Sequence, residues 1–130
     1  VKQEAEQYLR HQYTNDDGEM ICQVCHAHLP FKLDDGSYYV EKVEFLPELR
    51  KRHYQNYLAL CPNHAAMFQH AHGSRDMMLD MFLDMSGQEL DVILAQKDFK
   101  VYFTLTHLVD VRALIASDSS ATEDEDDAKR

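Results

Sequence analysis

The sequence predicts an α+β fold, and three observations carry that prediction. Apolar residues recur at helical spacing near both ends of the chain, and β-branched and aromatic residues gather in short runs between them. Two segments far apart in the chain, Cys22-Gln23-Val24-Cys25 and Cys61-Pro62-Asn63-His64, carry metal-ligand residue types at the same two-residue separation. The length of 130 residues, with 45% hydrophobic and 28% charged composition, suits one compact core and is short for two.

In residues 2–13, Ala5, Tyr8, Leu9 and Tyr13 fall at helical spacing among Glu, Gln and Arg, which predicts an amphipathic helix leaning on the core. Asn15-Asp16-Asp17-Gly18 is turn chemistry, and Met20-Ile21-Cys22 reads as a short strand entering a loop. A second turn at Asp34-Asp35-Gly36 precedes a strand over 37–45, where Tyr38, Val40 and Val43 stand among β-formers. Pro47 suits the first turn of a helix carrying Arg50, Lys51, Arg52 and His53, and Tyr57-Leu58-Ala59-Leu60 is an apolar strand ended by Cys61-Pro62. Ala65, Ala66, Met67 and Phe68 predict a helix closing near Gly73, and Ser74 caps the next. That helix holds Met77, Met78, Met81 and Met85 with Leu79, Phe82 and Leu83. Such a stripe packs into a core or forms an adaptable partner surface, and core packing is the expectation. Residues 90–94 and 100–105 predict a hairpin about Gln96-Lys97-Asp98, and Thr106 caps a last helix bearing Leu108, Val109, Val111, Leu114 and Ile115. Residues 117–130 lack apolar periodicity and predict a disordered acidic tail.

The formal charge of -10 is uneven: the tail holds six acids against two bases, leaving 17 acids and 11 bases in the body. A net negative body repels phosphate backbones at long range, which disfavours nucleic acid as a partner. The exception is the cluster Arg50, Lys51 and Arg52, a candidate phosphate contact or a solvated helix face. No stretch approaches the roughly 18 uninterrupted apolar residues of a bilayer span, and VKQEAEQYLR lacks the apolar centre of a secretory signal. A soluble, cytoplasmic protein without a membrane role is expected. The start at Val1 rather than Met predicts a piece of a longer protein.

The three cysteines cannot all pair with one another, which points to a reducing compartment and to thiolate ligation. Two intervening residues let one tight turn present two ligands to the same ion, and two such turns complete a tetrahedron of sulfur and nitrogen. Cys22, Cys25, Cys61 and His64 are therefore the expected ligands of one closed, structural Zn2+ site with no position left for water. His26, His28 and His70 compete for the fourth place, and only His64 has the matched spacing. A thioredoxin-like redox role for Cys22 and Cys25 lacks the βα context and leaves Cys61-x-x-His64 unexplained.

Over about residues 20–72 the chain resembles the HNH family, the zinc-stapled branch of the ββα-metal or His-Me finger nucleases. Members carry CxxC, a strand with a His-His or Asp-His pair followed by proline, a loop with Asn, and Leu-Cys-x-x-Cys/His leading into a helix. The corresponding text here is CQVC, YYVEKVEFLPEL and QNYLALCPNHAAMF. The resemblance implies a zinc-stapled, treble-clef ββα core with Cys22, Cys25, Cys61 and His64 as structural ligands and Asn56 as the central Asn. It also implies a degenerate active site. Val43 and Glu44 stand where the family has its general-base histidine and adjacent metal ligand, and Ala65 stands for a further histidine. Valine can neither accept a proton from water nor bind a metal.

With that resemblance the chain divides into an N-terminal helix and turn (1–19), an HNH-like zinc-binding core (20–73), a helix, hairpin and helix packed on it (74–116) and the acidic tail (117–130). The expected function is a structural, non-catalytic interaction module for a protein partner or a neighbouring domain of the same polypeptide. The alternative is a nucleic-acid-binding domain or a divergent DNA endonuclease in which Glu44, Asn56 and His70 surround Mg2+ and His53 or His70 activates water.

Overall fold

The computed structural model describes the backbone of residues 1–128 and the side chains of residues 1–118. Helix α1 (Lys2–Tyr13) buries Ala5, Leu9 and Tyr13, one residue per turn, against the hairpin formed by β1 (Glu41–Glu44) and β2 (Tyr57–Leu60). The two strands pair antiparallel with Val43 opposite Leu58, and all four residues of β2 are buried. Helix α2 (Pro62–His70) follows β2 at once and packs on both strands. A 3-10 turn (Arg75–Met77) then leads into α3 (Met78–Asp84), a second antiparallel hairpin of β3 (Glu89–Leu94) and β4 (Lys97–Tyr102), and the long α4 (Leu105–Ala128). The architecture is thus α+β, with two separate two-stranded sheets among the described residues. Among the described residues no helix is long and apolar enough to cross a membrane.

One set of buried side chains runs from Ala5 to Ile115 and draws on α1 to α4 and β1 to β4, and its centre is the ring cluster Phe45, Phe82 and Phe103, with centroids 5.2 to 5.4 Å apart. The methionine stripe divides as a core helix requires. Met78 and Phe82 are buried and Met81 and Met85 pack at the margin, while Met77 and Leu83 face outwards.

Several element boundaries differ from the sequence expectation, each for a physical reason. Residues 20–22 form isolated bridges, Thr14 with Met20 and Ile21 with His28, because the chain here closes a turn around Asn15 and then the Cys22–Cys25 knuckle. The strand expected over 37–45 is regular only at its end; residues 31–39 make a small arm that bridges Lys32 to Tyr38 and stacks Phe31 on Tyr39. Residues 47–53 are turns and bends rather than a helix. Only Leu49 in that stretch packs on the core, and a single apolar anchor does not offset the cost of nucleating one helical turn. Arg50, Lys51 and Arg52 are consequently exposed on a loop, where Arg50 N donates to Asp118 at 2.9 Å.

The second hairpin turns two residues earlier than expected, at Ala95-Gln96, with φ of 50° and 65°. That left-handed pair matches the twist of the strands, although neither residue is of the Asn or Gly type that signals it. The last helix is capped by Thr104, whose Oγ1 accepts from His107 N at 3.2 Å, and not by Thr106. The α4 backbone continues to Ala128, so part of the tail expected to be disordered, 117–128, is helical in backbone trace; the side chains from 119 onward lie outside the described residues.

Candidate metal centre

Cys22 and Cys25 sit at the two ends of a tight knuckle. Cys22 N donates to Ala27 O at 3.0 Å and His26 N to Cys22 O at 2.9 Å, and the turn closes through His26 in the left-handed region with φ 61°. The other half-site is built by a helix start. Cys61 is the residue before α2, Pro62 occupies its first position without wasting a donor, and His64 follows in the first turn. Cys61 and His64 therefore share one face, and the amide ends of the helix favour an anionic sulfur there.

The fold brings the two halves together. The donor atoms of Cys22, Cys25, Cys61 and His64 all lie within 4.8 Å of one another, with His64 Nδ1 at 3.3 Å from Cys61 Sγ and 3.8 Å from Cys22 Sγ. This group can hold one metal ion. Cys22 is buried, Cys61 and His64 are partly buried and Cys25 is exposed, so the site lies at the surface with its inner side closed. Burial pushes the Cys22 thiol up to about 12, against the opposing pull of the Cys25, Cys61 and Val24 amides. A cation is what makes the thiolate form stable in such a place. Burial lowers the His64 imidazole, which keeps it in the neutral, ligating form.

The competing histidines are elsewhere. The His26 ring rests 5.4 Å from that of Tyr102, His28 Nδ1 bonds Leu29 O at 2.9 Å, and His70 is exposed on the last turn of α2. No second group of three His, Cys, Asp or Glu donors exists among the described residues, so Glu44, His53 and His70 do not form one. Glu44 lies on β1 beside a small groove with Pro47, Gln69 and Arg75. Its charged surroundings include other carboxylates: the Glu48 carboxyl is held above its usual range by burial first, with Asp76, Asp80 and Glu44 adding repulsion. Val43 is buried in the core. Asn56 is 1% exposed and wholly engaged, accepting from Leu46 N at 3.0 Å and donating to Leu46 O at 2.9 Å.

Two buried polar residues escaped the sequence reading. Gln23, inside the knuckle, joins the two sheets: its main chain and side chain bond Ala59 of β2 on one side and Tyr102 of β4 on the other, at 2.8 to 3.0 Å. Nothing in CQVC marks it. His107 is fully buried, with Nε2 donating to Gln55 O at 2.8 Å and Nδ1 accepting from the Tyr13 hydroxyl at 2.5 Å. Its position four residues before Val111 and eight before Ile115 put it on the core face of α4, and that was the available signal. Burial lowers its imidazole to about 4.

No family model, curated protein or solved structure matches this chain.

Proposed function

We propose that Cys22, Cys25, Cys61 and His64 hold one structural Zn2+ and that the domain is an HNH-like, treble-clef interaction module without nuclease activity. The convergence of the four donors carries this reading. A tetrahedral zinc with sulfur at about 2.3 Å and nitrogen at about 2.05 Å sets its ligand atoms roughly 3.6 to 3.8 Å apart, and the 3.3 and 3.8 Å separations at His64 fall near that edge length. Three sulfurs and an imidazole suit zinc, and four protein donors leave no place for a reactive water. The order of knuckle, hairpin and helix, with the second ligand pair at the helix start, is the arrangement expected of the treble-clef members of the HNH family.

The residues that replace the family's catalytic groups support the non-catalytic half of the proposal. Val43 is a core side chain, and Asn56 spends both ends of its amide on the Leu46 backbone. Glu44 belongs to no group of three His, Cys, Asp or Glu donors among the described residues, which leaves a Mg2+ ion there without a protein cage. The protein would serve a protein partner or a neighbouring domain, in keeping with its net charge of -10.

The test pairs elemental analysis with a plasmid cleavage assay in Mg2+ and Mn2+ on the same preparation. Zinc near one equivalent with intact plasmid is expected. Cleavage that survives purification and disappears in Glu44→Ala would replace this reading by the endonuclease with Mg2+ at Glu44, Asn56 and His70.

A further inference from the structure

The outer edge of β4 is used by the fold at one end and left open at the other. At Tyr102 the chain of Gln23 lies alongside the strand: Tyr102 N donates to Gln23 O and Gln23 Nε2 donates to Tyr102 O, both at 2.8 Å. In an antiparallel ladder the outward main-chain groups recur at every second residue. Lys100 and Asp98 therefore present their N–H and C=O groups on the same edge as Tyr102. Among the described residues neither makes a backbone hydrogen bond outside the ladder. The segment that begins to pair with β4 at Gln23 cannot continue, because the next residues turn away into the knuckle. An open groove of about 800 Å³ remains between Cys25 and His26 on one side and the hairpin on the other.

The groove is acidic. Glu89, Asp91 and Asp98 line it, and its one cation, Lys100, is already engaged by Asp91 at 2.7 Å. Neither Glu89 nor Asp98 has an ion pair among the described residues. A phosphate backbone is repelled by such a lining, and a second copy of the chain would bring the same carboxylates face to face. A basic chain gains from both.

We propose that the open edge of β4 at Asp98 and Lys100 is a strand-addition site for an extended, lysine- or arginine-bearing segment of a protein partner. The main-chain groups of the edge, spaced about 6.7 Å apart along the strand, fix the partner's backbone, and Glu89 and Asp98 select its charge. The inference rests on the interaction-module reading and supplies the chemistry of the partner.

The experiment titrates the 15N-labelled, zinc-loaded full chain with an end-blocked eight-residue peptide of alternating lysine and threonine. The largest amide shifts are expected at Asp98 and Lys100, with smaller ones at Cys25 and His26. Asp98→Asn removes one of the selecting carboxylates and keeps the N–H; Asp98→Pro removes the outward N–H as well, without touching the ladder, and its spectrum reports whether the hairpin persists. With the hairpin intact, this variant, and separately a peptide N-methylated at alternate amides, should bind roughly tenfold more weakly. A glutamate–threonine peptide should not bind. The proposal is overturned by absence of binding at millimolar peptide, by shifts centred elsewhere, by affinity indifferent to N-methylation and to Asp98→Pro, or by an oligonucleotide occupying the same amides. Zinc content and plasmid cleavage on the same sample separate failure of this site from failure of the module reading.

Discussion

The Cys22, Cys25, Cys61 and His64 group and the Tyr13, His107 and Gln55 chain do the same mechanical work by different chemistry. The first joins a knuckle to a helix start 36 residues later in the sequence, between Cys25 and Cys61; the second joins α1, the loop before β2 and α4. At the candidate metal centre the open groups are sulfurs, which a bound cation would satisfy. Around His107 every polar atom has a partner within the protein. One tie should therefore depend on what is in solution, and the other on pH alone. A segment held by both, such as the stretch from β2 into α2, inherits the weaker of the two under any given condition.

The largest effect should come from removing the metal tie. Cys61→Ser, or a strong chelator on the unaltered protein, is expected to cost at least about 5 kcal/mol and to abolish cooperative unfolding, since coordination energy in small metal modules is folding energy. A sharp thermal transition in chelator, followed by near-UV circular dichroism, would break the comparison by making the polar chain sufficient. Next is Asn56→Ala, which strands the buried N–H and C=O of Leu46 and should cost about 2 to 4 kcal/mol in urea unfolding. The loss should be the same with and without chelation if the loop folds independently of the metal.

His107→Leu should cost about 1 to 3 kcal/mol at pH 7 by leaving Gln55 O and the Tyr13 hydroxyl without their ring partner. Its sharper consequence concerns pH. The folded imidazole is depressed from 6.5 to about 4, so the unfolded chain binds the extra proton within that window. The neutral ring's contribution is complete above pH 6.5 and is lost as pH falls towards 4, at up to roughly 1.4 kcal/mol per pH unit. Urea titrations at pH 7 and pH 5 on both proteins should show the smaller drop in the variant. An identical drop would assign the acid sensitivity to other groups, His72 first, since burial depresses it in the same direction. The smallest effect has the opposite sign. His26→Gly relieves a left-handed side chain at φ 61° and should stabilise the metal-loaded protein by less than about 1 kcal/mol, the contact of the His26 ring with Tyr102 being forfeited.

The metal group was legible in the sequence because its signal is local. Two residues between ligands is a statement about a single turn, and each half-site can be read without knowing where the other lies. The amphipathic register of α1 was equally local: Ala5, Leu9 and Tyr13 repeat once per turn and all three are buried. The basic stretch around Lys51 misled for the converse reason. Pro47 and the charged run carry a helix signature, but the loop is shaped by Asn56, a residue that bonds Leu46 from ten positions away. The early turn at Ala95-Gln96 likewise answers to strand twist rather than to turn-forming residues.

Residue types and short spacings thus determined which side chains can bind a metal and which helix faces are apolar. The tertiary structure alone decided that the two half-sites meet, that Gln23 and His107 are buried between elements, and that β4 keeps an open edge beside an acidic groove. The physical reason is range. Periodicity and turn geometry act over a few residues, whereas the partners of a buried polar atom or a strand edge are set by which distant segments the packed core brings within about 3 Å.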